Sequence, residues 1–229
     1  GLQITRIKCR SVEKEMLTNA FTMQKYLTKD INHKLTIFDV GAYDGGTALT
    51  YKKNFPNSKV YSFEPFPDSF AKLVKSTSHY KDIIATNKGI GNKKGVAKFN
   101  SNKYALTNSL LDTHELGDAT WGEGLLNTEK SIEVELTTID EFVETHNIEK
   151  IDILKMDVQG AEYMVMEGAK KTIEQGQINM IYTEIITVPT YKGQLHFDEM
   201  IKLMRSFGFT LFNLYNLSLS KKGELIQVD

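Results

Sequence analysis

Five β-rich runs recur along the chain with amphipathic stretches between them, and no other property of the sequence limits the fold so sharply. They lie at residues 35–42 (LTIFDVGA), 59–65 (KVYSFEP), 82–90 (DIIATNKGI), 151–158 (IDILKMDV) and 178–186 (INMIYTEII). The first is uncharged until Asp39, as a strand covered on both faces should be. Between the fourth and fifth, Ala161, Met164, Val165, Ala169 and Ile173 recur at helical spacing before Gly176, a natural helix stop. A second stripe, Phe197, Met200, Ile201, Met204 and Phe207, ends at Gly208, and Thr138 and Glu141 have the spacing of a capping box. Alternation of this kind implies a mostly parallel sheet with helices on both faces. Two strand-like runs around Lys221-Lys222-Gly223-Glu224 predict a closing antiparallel hairpin.

Two regions stand outside the alternation. Residues 1–34 carry Met16, Leu17, Ala20 and Met23, which predict a helix packed on the sheet. Residues 95–137 hold two strand-like runs, GVAKFNSN and the one that begins SIEVEL, flanking a polar stretch with the only tryptophan, Trp121. That stretch is either a lid over a site or a solvated excursion anchored by Trp121. With 229 residues, 41% hydrophobic and 25% charged, the chain reads as one ordinary soluble domain spanning 1–229. A net charge of -1 gives no general attraction to nucleic acid or to an anionic membrane, so neither is expected as a partner. Cys9 is the sole cysteine, which excludes an internal disulfide and a cysteine-built zinc site. No run is long enough to span a bilayer as a helix and no signal-peptide core is seen, so a cytoplasmic location is expected. The first residue is Gly rather than Met, which leaves open whether Gly1 is a remnant or the cut edge of a longer, multidomain chain.

The chemistry starts where the first run ends, at Asp39-Val40-Gly41-Ala42-Tyr43-Asp44-Gly45-Gly46. In open α/β sheets ligands bind beyond the carboxyl ends of the strands. Gly41 and Gly45 let the backbone turn closely there, and a helix from about Thr47 would aim N–H groups at an anionic group. Glu64 ends the second run 23 residues after Gly41, where such folds place an acid to accept the hydroxyls of a ribose. A nucleoside ligand is implied. The loop lacks the two glycines one residue apart that seat a pyrophosphate, and Asp39 and Asp44 would repel one. The same carboxylates suit a ligand with a cationic amine, and S-adenosylmethionine (SAM) has one together with a ribose and a carboxylate.

Four stretches resemble the FkbM-type SAM-dependent methyltransferases: DVGAYDGG at 39–46, FEPFP at 63–67, TNKGIGNKKG at 86–95 and KMDVQGAEYMVMEGA at 155–169. Their order and spacing follow the family across roughly two-thirds of the chain. The resemblance implies a Rossmann-like class I methyltransferase fold with a seven-stranded sheet, O-methylation of a hydroxyl on a sugar or other small metabolite, and S-adenosylhomocysteine as product. It also implies that Asp39, Gly41 and Gly45, with Ala42, Tyr43, Asp44 and Thr47 of the same loop, hold the methionine part. Glu64 would then bind the ribose, and Pro65, Phe66, Gly89 and Ile90 would flank the adenine. Two positions depart from the family: Tyr43 stands where Asn is usual, and Gln159 where Glu is usual.

A hydroxyl keeps its proton at neutral pH, so methyl transfer to it needs a base. Asp157 ends the fourth strand beside the cofactor loop and is the expected base, although an N-terminal helix cap is the other role for an acid there. Lys155 and Glu184 are further catalytic candidates, and Asn108, Ser109, His114, Trp121 and His196 are candidates for the acceptor. A divalent ion shared by Asp157 and Glu184 is the alternative to a base, but Gln159 would be a poor third ligand, so no metal is assigned. At this level an NAD(P)-dependent oxidoreductase and a non-catalytic SAM-binding module remain as rival readings.

Overall fold

The computed structural model describes residues 14–28 and 34–229, so Cys9 and the parts of the N-terminal segment at 1–13 and 29–33 lie outside the described residues. The described residues begin with two short helices, α1 (Lys14–Thr18) and α2 (Ala20–Leu27), rather than one. Asn19 separates them, its side chain accepting the Thr22 N–H as the cap of α2. Ala20 and Met23 are buried, whereas Leu17 is exposed.

Five parallel strands form the centre: β1 (Thr36–Val40), β2 (Lys59–Phe63), β3 (Ile83–Thr86), β7 (Ile153–Met156) and β8 (Ile181–Thr183), in the order β3-β2-β1-β7-β8. The order reverses between β1 and β7, so the ends of these two neighbours open the crevice typical of such sheets. The sheet's alternation sorts its side chains. Phe38, Val40, Tyr61, Phe63, Leu154 and Met156 enter one core, while Ile37, Val60 and Ile153 enter another with Tyr51 and Phe55. Helices α3 (Gly46–Asn54) and α4 (Pro67–Thr77) join the first three strands. Helix α6 (Ile139–Thr145) begins at Thr138, whose side chain accepts the Glu141 N–H. Helix α9 (Phe197–Ser206) follows the expected stripe and ends before Gly208, at φ +85°.

In place of one seven-stranded sheet there are two, the five parallel strands and a separate three-stranded antiparallel sheet, because the chain breaks between them. After β8 the single residue Glu184 interrupts pairing, and the chain resumes as β9 (Ile185–Ile186). β9 pairs antiparallel with β11 (Leu225–Val228), and β11 with β10 (Ser218–Leu219), completing the C-terminal hairpin. The strand-like run before the turn, FTLFNLYNLSLS at 209–220, is longer than the strand it forms. Only Ser218–Leu219 forms a strand; residues 209–217 are otherwise irregular apart from Tyr215, which exchanges backbone hydrogen bonds with Asp229, and Leu211, Phe212 and Leu217 are exposed.

Two other expected elements also split. The third β-rich run divides into β3 and β4 (Gly89–Ile90), because Gly89 and Ile90 leave the central sheet to pair with Leu136 and Thr137. The helix after β7 divides into α7 (Glu162–Glu167) and α8 (Lys170–Glu174) at Gly168. A Cβ on Gly168 would lie 2.1 Å from the Gly91 carbonyl oxygen, so the helix bends where the two backbones touch.

Residues 95–137 form an arm. β5 (Gly95–Asn102) pairs antiparallel with β6 (Thr128–Thr137), and β4 lies on the other side of β6. Between them a 3-10 turn (Ala105–Thr107) and α5 (Gly117–Trp121) give the polar stretch structure of its own. No helix among the described residues is long and apolar enough to cross a membrane.

Candidate active site

A cavity of about 80 Å³ lies at the carboxyl ends of β1, β2 and β7. Gly41, Tyr43, Glu64, Pro65, Gly89, Ile90, Asn108 and Asp157 line it, as the sequence placed them. A larger cavity of about 350 Å³ lies between α2, α9 and residues 208–215. The smaller one is the better candidate for chemistry, because it joins two acids, Glu64 and Asp157, to the ends of the adjacent strands β1, β2 and β7, where α/β sheets bind ligands.

Beneath its lining, and not part of it, lies an ion pair. Asp39 is fully buried, with Lys155 Nζ 3.1 Å from its Oδ1. Neither carboxylate oxygen has a well-directed hydrogen bond, so the contact is chiefly one of charge. Lys155 also donates to the Gly41 carbonyl at 2.9 Å, and its Nζ lies 3.8 Å from Asp157 Oδ2. Burial pushes the Asp39 carboxyl up and the Lys155 charge opposes that; on Lys155 the surrounding acids outweigh burial and hold its pKa above the ordinary value. The ammonium is therefore held in place beneath the loop, buried and paired.

Gly41 and Gly45 have φ of +78° and +89°, which L side chains rarely adopt. Their neighbours demand glycine as well. A Cβ on Gly41 would lie 1.8 Å from the Asp157 carbonyl oxygen, and one on Gly45 would press on Ser76 and Thr77 of α4. The loop is thus fitted to the protein itself. Asp44 Oδ1 accepts the Gly46 N–H at 3.1 Å and so takes the first donor of α3. Ala42, Asp44, Gly45 and Thr47 shape the turn without lining the cavity.

Glu64 closes the opposite wall. Its carboxylate accepts the Tyr43 N–H at 2.8 Å and the Phe66 N–H at 2.9 Å, and Asn87 Nδ2 donates to its backbone carbonyl. Burial raises its pKa to about 7, against the pull of those two amides. Phe66 supplies an amide here, while its ring is buried against Phe99 of the arm, centroids 6.3 Å apart. Each Glu64 oxygen keeps a second lone pair for a ligand hydroxyl. A buried carboxylate beside an acidic loop fits a ligand that brings ribose hydroxyls and positive charge.

Gln159 joins the Asp157 side of the cavity together. Its Nε2 donates to Asp157 Oδ1 at 3.0 Å and to Glu184 Oε2 at 2.6 Å, and its Oε1 accepts from the Tyr191 hydroxyl at 3.0 Å. Its backbone carbonyl accepts from Ser109 Oγ at 2.7 Å, and Tyr191 also reaches the Thr107 carbonyl. One residue, at a φ of +55° unusual for a non-glycine, therefore ties both acids to the arm. Glu184 is buried and held also by Gln227 Nε2. Burial, then the charges of Asp157, Glu162 and Asp229, pushes its carboxyl well up. Asp157 is 39% exposed and does not cap α7, whose N-cap is Ala161. The buried carboxylate of Glu162 accepts the Val158 and Gly160 N–H groups instead. Among the described residues no three His, Cys, Asp or Glu side chains are grouped to hold a metal ion.

The remaining acceptor candidates are divided. Asn108 lines the cavity and Ser109 stands behind it, with Ala105, Leu106 and Leu110 of the arm adding lining that the sequence reading missed. Trp121 Nε1 donates to Thr190 Oγ1 at 2.8 Å and the His114 amide to the Thr190 carbonyl, so both fasten the arm to the segment before Tyr191. His196 is the exposed N-cap of α9, paired with Glu199. Tyr191 and Gln227 were also missed, because no local motif marks a residue that reaches the site from another element.

Comparison with known proteins follows this geometry. A family model described as a methyltransferase FkbM domain matches residues 39–211, more than half of the chain. The 2-O-methyltransferase NoeI of Sinorhizobium fredii is 27% identical over 179 residues, 75% of this chain and 71% of that protein. The hexuronic acid methyltransferase AglP of Haloferax volcanii is 24% identical over 162 residues, 70% of this chain and 60% of that protein. A solved structure, methyltransferase FkbM from Methylobacillus flagellatus KT, aligns with a TM-score of 0.52 at 12% identity, over 85% of this chain but 43% of that one. That likeness is one of fold.

Proposed function

The chain belongs to the FkbM methyltransferase family, and from that premise we propose that it moves a methyl group from SAM to a hydroxyl of a sugar, a glycan or another small metabolite. The observation that carries the reading is the pairing of Glu64 and Asp157 across one cavity: a buried acid suited to ribose hydroxyls faces a half-exposed acid suited to a proton. The family assignment also argues against an oxidoreductase. NoeI and AglP, named for 2-O-methylation and for a hexuronic acid, support a sugar hydroxyl as acceptor.

In this reading SAM supplies an electrophilic methyl group. Glu64 accepts the ribose hydroxyls, Pro65 and Ile90 flank the adenine, and the loop from Gly41 to Tyr43 borders the methionine part. The ion pair of Asp39 with Lys155 fixes the Gly41 carbonyl and makes Lys155 a positioning residue. The acceptor oxygen bonds to the methyl carbon as the carbon–sulfur bond breaks and its electron pair stays on sulfur. Asp157 takes the hydroxyl proton. Gln159 holds one Asp157 oxygen and leaves the other for this task. No metal has a part.

The test is incubation with methyl-labelled SAM and a panel of sugars, glycans, phenols, peptides and RNA, with the label located by mass spectrometry. Methyl ethers on hydroxyls are expected. Label found only on nitrogen or on RNA would overturn the assignment of the acceptor.

A further inference from the structure

The charge of the acceptor can be read from the cavity wall. Of the residues lining it, only Glu64 and Asp157 are charged, and neither lysine, arginine nor histidine is among them. The nearest buried cation, Lys155, is held at 3.1 Å by Asp39 and by the Gly41 carbonyl and stands farther, 3.8 Å, from Asp157 Oδ2, so one ammonium is shared between two acids. Behind Asp157 lie two further buried acids, Glu184 and Glu162, whose carboxyls burial pushes up, so the charge at this wall is chiefly that of Asp157. An anion placed beside Asp157 would therefore face like charge in a partly desolvated site, with no lining cation to offset it. The neutral groups point the same way. Leu106, Leu110 and Val158 give an apolar surface. Asn108 Oδ1 accepts the Asn102 N–H, and no hydrogen bond among the described residues uses its Nδ2, which can donate to a hydroxyl oxygen.

We infer that the group entering beside Asp157 is an uncharged, hydroxyl-bearing ring with an apolar face, and that a carboxylate or phosphate close to the reacting hydroxyl is rejected. The inference rests on the methyltransferase reading and narrows it: neutral sugars and deoxysugars are acceptors, whereas uronates and sugar phosphates are not.

The test compares methyl glycosides of one hexose, its 6-deoxy form, its uronic acid and its 6-phosphate. Binding is measured by NMR or calorimetry on the chain saturated with S-adenosylhomocysteine, and methyl transfer is measured in parallel with SAM. Neutral members should bind at least about tenfold better than the anionic ones. In Asp157→Asn, kept for the binding measurement alone, the uronate should gain about tenfold while the neutral members change little. Equal or better binding of the uronate or phosphate, failure of every neutral member to bind, or discrimination unchanged in Asp157→Asn would overturn the inference. If neutral sugars bind as expected but no methyl group moves to any of them, the methyltransferase reading fails while the charge rule stands.

Discussion

The two ends of the cavity are built in different ways. The end proposed for the cofactor comes from the tips of β1 and β2, where Gly41, Tyr43 and Glu64 follow directly on neighbouring parallel strands and the Tyr43 amide bridges to Glu64. The acceptor end gathers Asp157, Glu184, Tyr191 and the arm from distant parts of the chain, and Gln159 holds them together. An end made from adjacent strand tips needs little beyond the sheet to form. An end made from a hub depends on every element that the hub touches.

This contrast predicts separable effects, and the largest should arise at the acceptor end. Asp157→Asn should lower kcat by about 10²–10⁴ while SAM affinity changes little, and EDTA should alter neither form. Steady-state kinetics beside calorimetry decides this. Strong inhibition by EDTA that Mg²⁺ reverses would reject the metal-free mechanism.

Glu64→Ala should act on the other end, weakening SAM by about ten- to a hundredfold with little change in acceptor KM, since hydrogen bonds to a charged group are lost. Unchanged affinity in a folded variant would remove Glu64 from the ribose site.

The same residue gives a dependence on pH. Burial raises Glu64 to about 7, so the ligand-free carboxyl is protonated below that pH and must lose its proton to accept two hydroxyls. SAM affinity should therefore fall as pH drops below about 7, by up to about tenfold per unit, and Glu64→Gln should flatten the curve. A wild-type curve that stays flat over about one pH unit either side of 7 contradicts the ionised role.

Gln159→Leu should cost about tenfold in kcat through loss of the bridge, again sparing SAM affinity. Equal loss in kcat and SAM affinity would mean that the two ends are one unit. The smallest effect belongs to Trp121→Ala. Because Trp121 fastens the arm at Thr190 and does not line the cavity, acceptor kcat/KM should fall by no more than a few-fold, while the melting temperature drops with the loss of a part-buried aromatic side chain.

What could be read in the sequence follows the same division. The glycine loop, Glu64 and the strand bearing Asp157 were legible because each is a contiguous motif at the end of an apolar run, and the C-terminal hairpin because Lys221-Lys222-Gly223-Glu224 marks its turn. The breaks at Gly168 and Glu184 were not, since one arises from contact with Gly91 and the other from a change of pairing partner. Tyr191 and Gln227 gave no signal because their roles depend on residues 32 and 43 positions away in the chain. Asn108 drew notice only as a polar residue in a polar stretch, and its place in the wall follows from the pairing of Asn100 with Ser109.

The contact between Gly41 and the Asp157 carbonyl has a consequence for anyone who would graft this site onto another scaffold. A glycine loop moved alone would lose the surface that shapes it, because the space beyond the Gly41 Cα is filled by the backbone of Asp157, the proposed base. Lys155 ties the same two strands from below by holding both Asp39 and the Gly41 carbonyl. The smallest transferable piece is therefore a pair of adjacent strand tips with their lysine, and variation at either tip has to be matched at the other.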